Sequence, residues 1–76
     1  MNQRELEVKK QLEADGWRVL RNGAPDFVAL RVLANEIIEM KGVEVKSRRD
    51  KLSYEQSVYK EIFKKAGIPF EIVMKD

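Results

Sequence analysis

The chain has no cysteine and no histidine, and the two absences exclude a wide range of chemistry. Disulfides and thiol nucleophiles are ruled out, as are zinc sites of the usual nitrogen and sulfur type and any reaction that needs imidazole as its base. Catalysis, if there is any, must run on carboxylates, lysine, hydroxyls and backbone groups. Long hydrophobic runs are also missing, and Met1-Asn2-Gln3-Arg4-Glu5 reads as neither a leader nor part of a span. A soluble, intracellular chain, cytoplasmic or nucleoid-associated, is therefore expected. Charge of one sign is scarce too: 15 Lys and Arg stand against 13 Asp and Glu, a net +2, which is only a mild bias toward polyanions.

At 76 residues the chain is expected to form one domain over residues 1–76, with no repeat, low-complexity tract or linker. A domain of this size buries only roughly 60% of the surface its unfolded chain exposes, so its core is marginal and a metal or a partner subunit is a common supplement. Within the balanced total, one local bias stands out. Lys46, Arg48, Arg49 and Lys51 fall within six positions, opposed only by Asp50. Such a cluster suits phosphate contacts, although a solvated loop explains it as well.

Periodicity gives the elements. Gln3 to Asp15 carries Val8 and Leu12 on a stripe that also takes in Met1, and Gly16 ends the pattern, so an amphipathic helix is predicted. Trp17 to Asn22 alternates as a half-buried strand, and Asn22-Gly23-Ala24-Pro25 is a turn by composition. Phe27 to Leu33 and Ile37 to Lys46 read as two strands joined at Ala34-Asn35, the second interrupted by Gly42 as an expected bulge. Ser53-Tyr54-Glu55-Gln56 is a capping box, so a second helix begins there, and Gly67 and Pro69 end it. Phe70 to Met74 closes the chain as a short strand. The order α-β-β-β-α-β predicts an α/β fold, one mixed sheet flanked by helices.

Four residues break their local pattern. Glu5 shares the helical face of Val8 and Leu12, which sets a carboxylate on an apolar stripe, although a first-turn acid also suits the helix dipole. Asp26 follows Pro25 at the mouth of a strand, where turn chemistry is the bland explanation. Glu44 and Lys46 lie two apart in a strand and so project from one face, with Val43 and Val45 on the other. The tripeptide itself carries little weight, since Glu-x-Lys recurs at Glu7-Val8-Lys9 and Glu39-Met40-Lys41.

Their arrangement carries more. An acid at the start of one strand, with an acid and an amine on one face of its hairpin partner, can meet at a point. Phosphodiester hydrolysis asks for a divalent cation on hard oxygen ligands, an oriented water and positive charge near the phosphate oxygens. Asp26 and Glu44 would be ligands, the carbonyl of Val45 a third, Lys46 the water-orienting or charge-offsetting group, and Glu5 an outer contributor through water or a second ion.

The ordered set Glu5-Leu6-Glu7, Gly16-Trp17-Arg18-Val19-Leu20-Arg21, Gly23-Ala24-Pro25-Asp26, Glu44-Val45-Lys46, Leu52-Ser53-Tyr54-Glu55-Gln56 and Gly67-Ile68-Pro69 resembles the PD-(D/E)xK nuclease superfamily. The resemblance is nearest to VRR-NUC domains and archaeal Holliday junction resolvases. It implies a restriction-endonuclease-like fold and a DNA endonuclease dependent on Mg²⁺ or Mn²⁺, with Asp26 and Glu44 as metal ligands, Lys46 as the catalytic lysine and Glu5 as the helix-one acid. Gln56 matches a second-helix glutamine near the site, and Arg48, Arg49 and Lys51 lie in the loop that would track the DNA backbone. Relatives acting on four-way junctions are similar in working as dimers, which makes branched DNA the expected substrate. Tyr54, Tyr59 and Phe63 are the expected exposed residues of a homodimer. The alternative is a non-catalytic nucleic-acid-binding module on the same fold.

Overall fold

The computed structural model describes residues 1–75. Helix α1 (Gln3–Ala14) is followed by strands β1 (Arg18–Arg21), β2 (Phe27–Leu33) and β3 (Glu36–Lys46), helix α2 (Tyr54–Lys65) and strand β4 (Phe70–Met74). The sheet order is β1-β2-β3-β4. Its first two pairings are antiparallel and the last is parallel, with α2 as the crossover. This is the mixed sheet with flanking helices that the pattern predicts.

Local chemistry explains the boundaries. The Asn2 side chain accepts from the Glu5 N–H at 2.9 Å and caps α1. Met1 lies ahead of that cap and is 48% exposed, so it does not extend the buried stripe. The β2–β3 hairpin turns on Ala34 and Asn35, both at positive φ, the geometry a two-residue hairpin needs to match strand twist. At α2 the capping box is complete, Ser53 Oγ accepting from Gln56 N–H at 3.1 Å while Gln56 Oε1 accepts from Ser53 N–H at 2.9 Å.

The two faces of the sheet are filled unequally. On one, Val8 and Leu12 of α1 pack with Phe27, Ala29, Val43 and Val45, and Trp17, Val19 and Val73 close the edges of this core. On the other, Phe63 of α2 meets Phe70 edge to face, with ring centroids 5.6 Å apart. Phe63 is buried there rather than exposed as expected, because the crossover presses α2 onto the β3–β4 end of the sheet.

Gly42 is not a bulge. The register slips between Arg31 and Val32, opposite Glu39 and Ile37, and runs evenly through Gly42. What Gly42 supplies is room, since a Cβ at that position would lie 2.7 Å from Phe63 Cε2. Gly42→Ala is accordingly expected to cost about 1–3 kcal/mol by overpacking, read as a lowered midpoint in urea. An unchanged midpoint would mean that Phe63 moves aside freely.

Candidate active site

Strand β2 ends its pairing at Phe27 opposite Val43, so β3 runs on past it and Asp26 arrives beside the free stretch. There the Val45 N–H donates to Asp26 Oδ2 at 2.9 Å. The bond fixes the carboxylate against β3 and accounts for an acid directly after Pro25. Turn chemistry, the competing explanation for Asp26, is satisfied by a partner on another strand.

Alternation does the rest. Val43 and Val45 enter the α1-side core, so Glu44 and Lys46 point to the α2 side. Lys46 Nζ stands 4.0 Å from Glu44 Oε2. Glu44 is 1% exposed, the only charged residue among the buried ones described. Gln56 Nε2 donates to Glu44 Oε2 at 3.0 Å. Because Gln56 Oε1 is already held by the Ser53 N–H, the amide can only turn its nitrogen toward the acid. Gln56 thus caps α2 and also contacts Glu44.

Glu44 Oε1 is buried without a hydrogen-bond partner. Burial of a carboxylate, followed by the neighbouring Asp26 carboxyl, pushes the Glu44 pKa up to about 7, while the Lys46 ammonium pulls it the other way. An orphaned carboxylate oxygen costs free energy unless a cation or a proton meets it. An acid just before β2 and an acid on β3, the latter with a free buried oxygen, therefore fit a divalent cation on oxygen ligands.

The rival triplet lies on the other face of the sheet, with partners of its own. Glu39 pairs with Arg31 at 3.4 Å and Lys41 with Glu71 at 2.7 Å. Arg31 and Lys41 also sit over the Trp17 ring, 4.1 and 4.7 Å from its centroid. All of this lies on the α1 side, across the sheet from Glu44 and Lys46.

Glu5 is half-buried on α1, and it is not drawn into a cluster with Asp26 and Glu44. No group of three acids within reach of one metal ion occurs among the described residues. In the basic connector, Asp50 Oδ2 accepts from the Ser47 N–H at 3.1 Å, and this bond holds the Asp50 carboxyl below its ordinary pKa. Arg48 and Arg49 line an open pocket with Ser47 and with Arg4 of α1, while Lys51 is exposed outside that lining. The approach of Arg4 to this connector is what sequence reasoning missed. A first-turn arginine has no periodic signature, and its closeness to the connector exists only in the fold.

A fold of this order carrying an acid pair and lysine at adjoining strand ends belongs among nucleases. A model of the VRR-NUC domain matches residues 3–74, and the chain belongs to that family, within the PD-(D/E)xK nuclease superfamily and its restriction-endonuclease-like α/β fold. No curated protein and no solved structure matches the chain. No helix among the described residues is long and apolar enough to cross a membrane.

Proposed function

We propose that residues 1–76 form one minimal domain that hydrolyses DNA phosphodiester bonds internally, with Mg²⁺ or Mn²⁺, and prefers branched substrates such as four-way junctions. The observation that carries this reading is the buried Glu44, its Oε1 unpartnered, set beside Asp26 and sharing a face with Lys46.

Asp26 and Glu44 would hold the cation, with the Val45 carbonyl beyond the end of β2 as a further oxygen and Glu5 contributing through water or at a second ion. Bound there, the cation supplies Lewis-acid charge to the phosphate oxygens. Lys46 orients the attacking water in line with the scissile bond and offsets the negative charge that builds on the phosphate. Gln56 keeps Glu44 Oε2 occupied, which leaves Oε1 turned toward the ligand. Arg48, Arg49 and Lys51 hold the strand by its backbone.

Dimerisation has support from apolar surface. Leu33, Ile37, Ile38 and Leu20 are each more than half exposed, whereas Phe63, once expected at the interface, is committed to the core. A soluble, intracellular homodimer is the proposed working form, and sedimentation equilibrium at twice the monomer mass would support it.

The decisive assay compares cleavage of duplex, flap and four-way substrates with Mg²⁺, Mn²⁺ or chelator. Wild type should cut only with metal and fastest at the junction, while Lys46→Ala should lose roughly 10²–10³-fold, the usual scale for removing one positioned charge. No cutting by wild type, or equal cutting by Lys46→Ala, would defeat the reading. The binding-module alternative predicts that Glu44→Ala leaves DNA affinity unchanged. A buried acid with one oxygen unpartnered argues against it, because a purely binding surface has no use for that cost.

A further inference from the structure

The connector after β3 and the first turn of α1 are far apart in sequence, yet Arg4, Ser47, Arg48 and Arg49 line one pocket of about 340 Å³. Three arginines contribute to this lining, and Asp50, the acid in this loop, accepts from the Ser47 N–H. Arg4 is near enough to that acid to act on it by charge, as is Lys46. Its position at the start of α1 also opposes the helix dipole, which favours acids there. An exposed arginine at residue 4 adds nothing to the core, whereas an anion in the pocket would be met by it.

The pocket also has a fixed relation to the acid pair. β3 rises roughly 3.3 Å per residue, so Ser47 lies about 10 Å along the chain from Glu44, just beyond Lys46. A nucleic-acid strand with one phosphate at Glu44 and Lys46 would present a neighbouring phosphate to this pocket. Guanidinium suits that role through its paired donors, and the Ser47 hydroxyl adds another.

We propose that Arg4, together with Ser47, Arg48 and Arg49, binds a backbone phosphate next to the one that is cut, so that α1 and the connector jointly set where the strand lies. The proposal rests on the nuclease reading and adds to it a subsite with Arg4 as its distinguishing residue.

The test uses Lys46→Ala as a parent that binds without cutting, and follows affinity against salt in Mg²⁺ for the parent, for Arg4→Gln and for Arg4→Lys. Loss of one phosphate contact should lower the salt slope by roughly 0.7–0.9 in Arg4→Gln, and Arg4→Lys should restore it. Substrates with one neutral methylphosphonate linkage at a time should locate the contact: a single linkage beside the scissile one weakens the parent and weakens Arg4→Gln markedly less. Equal slopes and equal linkage profiles in parent and Arg4→Gln would overturn the subsite while leaving cleavage by wild type intact. Failure of wild type to cut would overturn the nuclease reading instead, and failure to bind DNA at all would end both. A slope that Arg4→Lys does not restore would make the residue structural and likewise refute the proposal.

Discussion

Glu44→Gln is expected to lower DNA cleavage by at least about 10³-fold and, in the same protein, to raise the melting temperature of the metal-free chain at pH 8. The first effect follows from the proposed role of Glu44, since removing a cation ligand's charge costs no less than losing a single positioned donor. The second follows from burial. Glu44 is 1% exposed, one of its oxygens has no partner, and Lys46 is its nearest cation at 4.0 Å. An amide of the same shape removes the buried charge, still accepts from Gln56 through its oxygen, and can donate toward Asp26 through its nitrogen. Each 1 kcal/mol gained moves the midpoint of a domain this small by roughly 4–8 °C, so calorimetry in chelator resolves the change. A variant that loses activity and stability together would mark Glu44 as a structural acid.

Stability without metal should also fall as pH rises. The Glu44 carboxyl titrates near 4.5 in an unfolded chain and at about 7 in the folded one. Between those values the folded chain holds a proton that the unfolded chain has released, so raising the pH favours unfolding across this window and has no further effect through Glu44 above it. The shift corresponds to a ceiling on the order of 3 kcal/mol. Melting in chelator from pH 5 to pH 8 should show the decline in wild type and its absence in Glu44→Gln. Added Mg²⁺ should recover stability at pH 8 far more than at pH 5, since the cation takes the place of the proton. Parallel curves for wild type and Glu44→Gln would mean that another group governs the pH response.

Several parts of this architecture were legible in the residues because they depend on near neighbours. The Ser53–Gln56 capping box, the Ala34-Asn35 turn and the α-β-β-β-α-β order all rest on spacings of a few positions, and each is present in the fold. The pairing of Glu44 with Lys46 on one face needs only strand alternation. The misreadings have a common physical cause. Gly42 was expected as a bulge because a glycine inside a strand usually marks one, yet its missing Cβ makes space for Phe63, which lies 21 positions later in the chain. Phe63 was expected on the surface because a domain this small has little core to cover it, and no local signal says that the parallel crossover will press it onto Phe70. Arg4 could not be connected with Arg48 and Arg49 at all.

The choice between two Glu-x-Lys triplets in one strand divides what each level could decide. Residues 39 and 41 have odd parity and 44 and 46 even, but the triplets fall on opposite faces of β3 only because the register runs evenly through Gly42, which the residue order did not show. The residue order determined the strand itself and the acid waiting after Pro25. Which triplet lies beside Asp26 and under α2 depended on where β2 stops pairing, where Asp26 is carried by that register, and which side α2 covers. These are contacts between distant segments, fixed by burying Val43 and Val45 against α1. Their energy exists only once the layers close, so no local pattern can report them.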